Sequence, residues 1–179
     1  MRDRDHVLSA RQGDERAFAR LMELYGTAAY RLAFRITGDT GEAEDACQEA
    51  FLRAYRSLDS FDAERPFLPW ILRIAANCAL TRAHAKKREC PLSAADGESD
   101  PKAGVEESAE RASEAERLRR ALEELEAHDR AVLGLRYEQD MRVAEIAEVL
   151  GIGESAVKLR LFRARSRLKR VLEPTEAGA

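Results

Sequence analysis

Apolar residues recur at steps of three and four along most of this chain, and no stretch alternates with the period of two that marks a strand. The pattern predicts helices over 4–12, 15–25, 28–37, 42–58 and 69–87, with Gly13, Gly26 and Gly38 separating the first ones. The clearest is 42–58, where Ala43, Ala46, Cys47, Ala50, Phe51, Ala54, Tyr55 and Leu58 form an unbroken buried stripe. Pro66 and Pro69 bound a short loop, and Pro69 suits the first turn of the helix that follows. Trp70, Ile71, Ile74, Ala75 and Cys78 form that helix's inner face. From 89 to about 113 the period collapses into Pro91, Gly97, Pro101 and Gly104 among Ser, Ala, Asp and Glu. Such a composition buries too little apolar surface to offset ordering, so it reads as a flexible linker. Period resumes near Glu114, with Leu118, Leu122 and Leu125, then Val132, Leu133 and Leu135. The expected fold class is all-α: two small helical domains over 1–88 and 114–172, an acidic linker over 89–113 and a disordered tail over 173–179. Such a tether leaves the domains at no fixed spacing.

The run from Val143 to Arg165 is the most specific local signal. Ile146, Ala147 and Leu150 share one face of a short helix, and Gly151 supplies a tight turn. Val157, Leu161, Ala164 and Leu168 then form the inner stripe of a long helix. This is the grammar of a helix-turn-helix, whose second helix enters the major groove of duplex DNA. From Glu154 to Leu172 that helix carries seven bases, Lys158, Arg160, Arg163, Arg165, Arg167, Lys169 and Arg170, against one acid, Glu154. A charge balance of that kind suits a polyanion.

The net charge of −3 taken alone argues against nucleic acid, but it averages opposites. Between Glu89 and Arg117 there are nine acids against three bases, so an acidic middle offsets a basic end, and binding responds to the local field. No apolar run approaches a membrane span, and Met1-Arg-Asp-Arg-Asp-His lacks the apolar segment of a signal peptide. The chain is therefore expected in the cytoplasm, without membrane insertion. Cys47, Cys78 and Cys90 are an odd number at no metal-ligand spacing, which points to a reducing compartment. Cys47 lies in an apolar stripe and reads as core. His84 and Cys90 stand at a spacing that is no standard zinc knuckle, so no metal and no cofactor is expected. No nucleophile, phosphate loop or metal site points to an enzyme.

The predicted helix over 69–87 sets Arg73, Asn77, Thr81, His84 and Arg88 on its outer face, with Lys86 and Lys87 beside them. Bases with amide and hydroxyl groups can track phosphates and read unpaired base edges. The loop before it carries Phe61 and Phe67, for which core packing is the competing role, as it is for Trp70.

Asp45-Ala-Cys-Gln-Glu-Ala-Phe51, Arg53-Ala-Tyr55, Leu58-Asp-Ser-Phe61 and Pro69-Trp-Ile-Leu-Arg-Ile-Ala-Ala-Asn77 stand in that order before Glu145-Ile-Ala, Ala156-Val-Lys-Leu-Arg-Leu and Arg163-Ala-Arg165. Together these resemble the extracytoplasmic-function (ECF) sigma factors of bacterial RNA polymerase, in the sigma-70 superfamily. The resemblance covers nearly all of the chain outside the linker and the last residues. It implies sigma region 2 followed by sigma region 4, and a promoter-specificity subunit for core polymerase. In the family, the face bearing Asp45, Gln48, Glu49, Leu52, Arg53 and Arg56 docks on the beta-prime clamp helices. A loop like the one carrying Phe61, with residues matching Arg73, Asn77, Thr81, His84 and Arg88, captures the melted −10 strand. Residues matching Ser155, Lys158, Leu159, Arg160, Phe162, Arg163 and Arg165 meet the −35 duplex. The resemblance also implies docking on the beta flap tip and a cognate anti-sigma factor. Two positions depart from the family's pattern. Leu159 stands where relatives often carry a small polar residue, and Cys47 replaces a common aliphatic one. The rival class is a stand-alone helix-turn-helix regulator of duplex operators, which would not need the first domain's motifs.

Overall fold

Aspartates and left-handed glycines set several of the helix ends. The computed structural model describes residues 2–89, 117–122 and 124–172, with side chains over 3–86, 117–122 and 124–170. After α1 (Arg2–Arg11), Asp14 caps α2 (Glu15–Thr37) by accepting from the Arg16 and Ala17 amides at 3.0 and 3.3 Å. Gly38, at φ 72°, ends α2 in the conformation that a Cβ disfavours, and its N–H donates to the Phe34 carbonyl at 2.8 Å. Asp39 then caps α3 (Thr40–Arg56), accepting from the Glu42 amide at 3.0 Å. A single 3-10 turn (Leu58–Ser60) and a loop lead to α4 (Phe67–Glu89). Beyond 116 come α5 (117–122), α6 (Ala127–Tyr137), α7 (Val143–Leu150) and α8 (Glu154–Leu172). All regular structure among the described residues is helical, as the periodicity predicts.

Two expectations change. The helices expected over 15–25 and 28–37 are one continuous α2. Leu21, Ala29, Leu32, Ala33 and Ile36 make one buried stripe across Gly26. A mid-helix glycine costs about 1 kcal/mol relative to alanine, less than breaking that stripe would cost. Tyr55, expected in the buried stripe of α3, is 46% exposed, with its ring edge-on to Phe18 at 4.9 Å.

The helices on either side of the linker also pack together. α2, α3 and α4 form the first group, with α1 laid along α2. α6 packs on α2, and α7 packs on α4, so buried residues from Val7 to Ala164 form one continuous cluster. Gly134 eases the approach: a Cβ there would lie 3.3 Å from Arg35 Cγ and 3.4 Å from Leu32 Cδ1. Arg130 reaches across from α6, its Nε and Nη2 donating to the Ile36 carbonyl at 3.0 and 2.5 Å. Arg35 Nε donates to Glu138 Oε1 at 2.7 Å, and Arg65 pairs with Glu148 on α7. Of the linker expected over 89–113, Glu89 ends α4, while residues 90–113 and the tail over 173–179 lie outside the described residues.

Candidate nucleic-acid interface

The helix-turn-helix forms as its sequence pattern predicts. Gly151, at φ 66°, closes α7, and the Gly151 and Ile152 amides both reach the Ala147 carbonyl. Glu145 stiffens the entry to α7 by accepting from the Arg142 amide at 2.7 Å. The Arg142 guanidinium at 3.1 Å holds the Glu145 carboxyl below its usual range. Val157, Leu161 and Ala164 are buried, and Ile146 and Val149 fix α7 beneath them.

That anchoring turns Ser155, Lys158, Leu159, Phe162 and Arg163 outward together, with Leu159 46% and Phe162 69% exposed. Not every base of α8 points away from the protein. Arg160 Nη1 lies 2.9 Å from Asp129 Oδ1, with Glu126 at 4.0 Å, and its side chain is 30% exposed. Its charge is therefore engaged with α6. Arg167 lies 3.6 Å from Glu124, and the Arg165 guanidinium sits 5.4 Å from the Tyr137 ring centroid. Beside the open face is a cleft of about 500 Å³ lined by Arg136, Arg142, Lys158 and Arg165, with Val143, Leu161 and Phe162. Arg136 and Arg142 belong to this cationic surface although neither lies on α8, so inspecting the basic helix alone misses them. Arg142, directly before the α7 stripe, is the one the sequence could have flagged.

The second face lies on α4. Arg73, Asn77, Thr81 and His84 are exposed along one line of the helix. The Thr81 hydroxyl donates to the Asn77 carbonyl at 2.8 Å, while no hydrogen-bond partner of the Asn77 amide group is found among the described residues. His84 meets His128 across the contact between the two groups, with ring centroids 5.5 Å apart. Burial holds His128 below the usual imidazole range, and the Arg160 guanidinium and His84 add to that. The side chain of Arg88 lies outside the described residues. Phe61 is core: it is 6% exposed, with its ring 4.6 Å from Trp70 and 5.6 Å from Phe67. Its ring is therefore not presented for stacking on a base. Asp62, Glu64, Arg65 and Pro66 form the exposed part of the loop.

The third face belongs to α3. Leu52 is 51% exposed beside the half-exposed Tyr55, within a rim of Asp45, Gln48, Glu49, Arg53 and Arg56. Arg53 Nε lies 2.6 Å from Glu49 and holds that carboxyl below its usual range. Arg82 from α4 bridges Glu42 and Asp45 at 3.0 and 3.1 Å. An apolar centre inside a charged rim has the make-up of a protein-docking surface.

A helix-turn-helix with an open cationic face, joined to a helical bundle with its own polar helix face, defines a helical DNA-binding protein. Residues 21–89 match the family model of sigma-70 region 2, and residues 115–168 match that of sigma-70 region 4. The chain is 34% identical over 181 residues to the ECF RNA polymerase sigma factor SigW of Bacillus subtilis, covering 93% of this chain and 94% of that one. It is 32% identical over 182 residues to the RNA polymerase sigma-H factor of Pseudomonas aeruginosa, covering 96% and 94%. A solved structure of CnrH in complex with the cytosolic domain of CnrY is similar at a TM-score of 0.69 and 28% identity, covering 96% of this chain and 97% of CnrH. The chain belongs to the ECF sigma factors of the sigma-70 family. Among the described residues, no helix is long and apolar enough to cross a membrane.

Proposed function

We propose that this chain directs core RNA polymerase to its promoters by dividing the reading between two faces. α8 takes the −35 element as duplex, and α4 with the 61–66 loop takes the −10 element as a melted single strand. The single observation that carries this reading is the pairing of two unlike polar faces on one chain. On α8, Lys158 and Arg163 flank the exposed Leu159 and Phe162, a mixture that fits phosphates and thymine methyl groups in a major groove. On α4, an amide with no hydrogen-bond partner among the described residues, a hydroxyl and a guanidinium fit unpaired base edges. Arg136 and Arg142 extend the duplex face to flanking phosphates, and Arg160 orients α8 through Asp129.

The α3 face docks on the beta-prime clamp helices, and the second helical group docks on the beta flap tip. The protein works in the cytoplasm and carries out no catalytic step of its own. An anti-sigma factor restrains it, as the family resemblance implies; the similar CnrH is itself seen bound to a protein partner, the cytosolic domain of CnrY. Runoff transcription with core polymerase on a cognate promoter tests the whole reading, and Asn77→Ala tests its centre. Permanganate reactivity of melted thymines is expected to fall with Asn77→Ala while binding to core polymerase holds. Unaltered melting and −10 preference would remove Asn77 as a base reader. Tight, sequence-specific promoter binding by the chain alone at physiological salt would favour a stand-alone regulator.

A further inference from the structure

We infer that Arg11 is a positioning residue for −10 recognition: from α1 it holds the 61–66 loop in the shape that meets the melted strand. The inference rests on the proposed role of that loop. It goes beyond it, because α1 carries none of the residues assigned to DNA. Arg11 Nε donates to the Leu58 carbonyl at 3.0 Å, and its Nη2 donates to the Phe61 carbonyl. These two carbonyls bracket the 3-10 turn that opens the loop, and the turn's own bond runs from the Phe61 amide to Leu58 at 3.1 Å. One planar guanidinium spans both acceptors, which the point charge of a lysine does not do. With its carbonyl held, Phe61 is set between Phe67 and Trp70.

The remainder of the loop turns on Asp62, which accepts from the Glu64 amide at 3.0 Å on its side chain and from the Arg65 amide at 3.0 Å on its carbonyl. The other end of α1 supplies Arg4, whose Nε lies 2.6 Å from Glu64. α1 is itself firmly seated, with Val7 and Ala10 buried and the Tyr25 hydroxyl donating to Asp3 at 2.6 Å. The helix therefore grips the loop at its start and again at its exposed tip. Exposed loops move more readily than the elements they join, whereas a captured base needs its receptor groups held to a fraction of an ångström. Arg11 meets that need without touching DNA.

The test reconstitutes holoenzyme with the parent chain, Arg11→Gln, Arg11→Lys and Asn77→Ala. Transcripts are then selected from a promoter pool randomised at both elements. Arg11→Gln is expected to lower discrimination at one −10 position by about tenfold, within the range that one base contact commands. The −35 preference stays as in the parent, and Arg11→Lys falls between the two. Trp70 is the only tryptophan in the chain, so its emission reports the loop directly and is expected to shift red as Phe61 loosens. A parent-like −10 preference in Arg11→Gln, with an altered one in Asn77→Ala, overturns the inference and leaves the reading of Asn77 standing. Parent-like preferences in both overturn the two together. Should Arg11→Gln fail to fold, Arg11→Lys and Glu64→Gln carry the same comparison, and parent-like −10 preferences in both overturn the inference.

Discussion

Replacing Arg130 by methionine is expected to open the contact between the two helical groups. The Ile36 carbonyl belongs to the last turn of α2, where no helical amide remains to satisfy it. Arg130 supplies the missing donors from the other group, at 3.0 and 2.5 Å. Its charge also sits at the negative end of the α2 dipole, a favourable place for a cation. Hydrogen bonds to charged groups contribute about 1.5–3 kcal/mol. Both donors share one acceptor at a part-buried site, so the lower end applies, about 2 kcal/mol for the pair. That shifts the ratio of closed to open chains by about 30-fold. Arg130→Met keeps an apolar stem at the interface and removes the charge and the donors, among them Nη1, which donates to the Leu125 carbonyl at 2.9 Å within its own group. Small-angle scattering on the free chain should give a larger radius of gyration, and amides at the end of α2 should exchange faster. Glu138→Gln is the control. Its partner Arg35 is 33% exposed and Glu138 is 25% exposed, so losing that pair costs at most about 1 kcal/mol. Scattering and exchange identical in Arg130→Met and the parent would refute the reasoning, leaving closure to the packing of α6 on α2 and α7 on α4 and to the remaining ion pairs.

Gly26→Ala is expected to stabilise the chain by about 0.5–1 kcal/mol in thermal unfolding, since a Cβ there meets nothing within 4 Å and the helix gains propensity. Asp39→Ala should cost about 1 kcal/mol at neutral pH by uncapping α3. The Glu42 amide and then Lys86 hold the Asp39 carboxyl below its usual value, so its contribution is full above about pH 4 and fades as pH falls through the depressed value. Urea titrations of parent and variant should therefore converge in acid, and a gap that persists there would count against the capping role. Leu159→Ser should shift the −35 sequences selected from a random pool at one or two positions and leave the melting temperature nearly unchanged, because Leu159 is 46% exposed and outside the core stripe. Identical selected motifs would leave Leu159 a bystander.

The sequence by itself determined the all-helical class, most of the helices and the helix-turn-helix, because each depends on residues three or four apart or on a cap within one turn; at Gly26 it suggested a break where the fold keeps one helix. Val157, Leu161 and Ala164 lie under α8 as their spacing requires, and Gly151 sits at the turn in a left-handed conformation. The outward line from Ser155 to Arg163 follows directly, since burying one stripe of a helix exposes the opposite one. What only the tertiary structure decided are relations between residues far apart in the chain. Nothing local announces that Arg130 caps the helix ending at Thr37, or that Gly134 lies closely against Leu32 and Arg35. The same holds for Arg160, whose charge looks available to DNA in the sequence and is engaged by Asp129 in the fold. Phe61 differs in that its loop position suggests exposure while Trp70 and Phe67 draw its ring inward. Periodicity records which face of a helix avoids water. It does not record which neighbour covers that face, because packing and ion pairing are settled by contacts that no short stretch of chain contains.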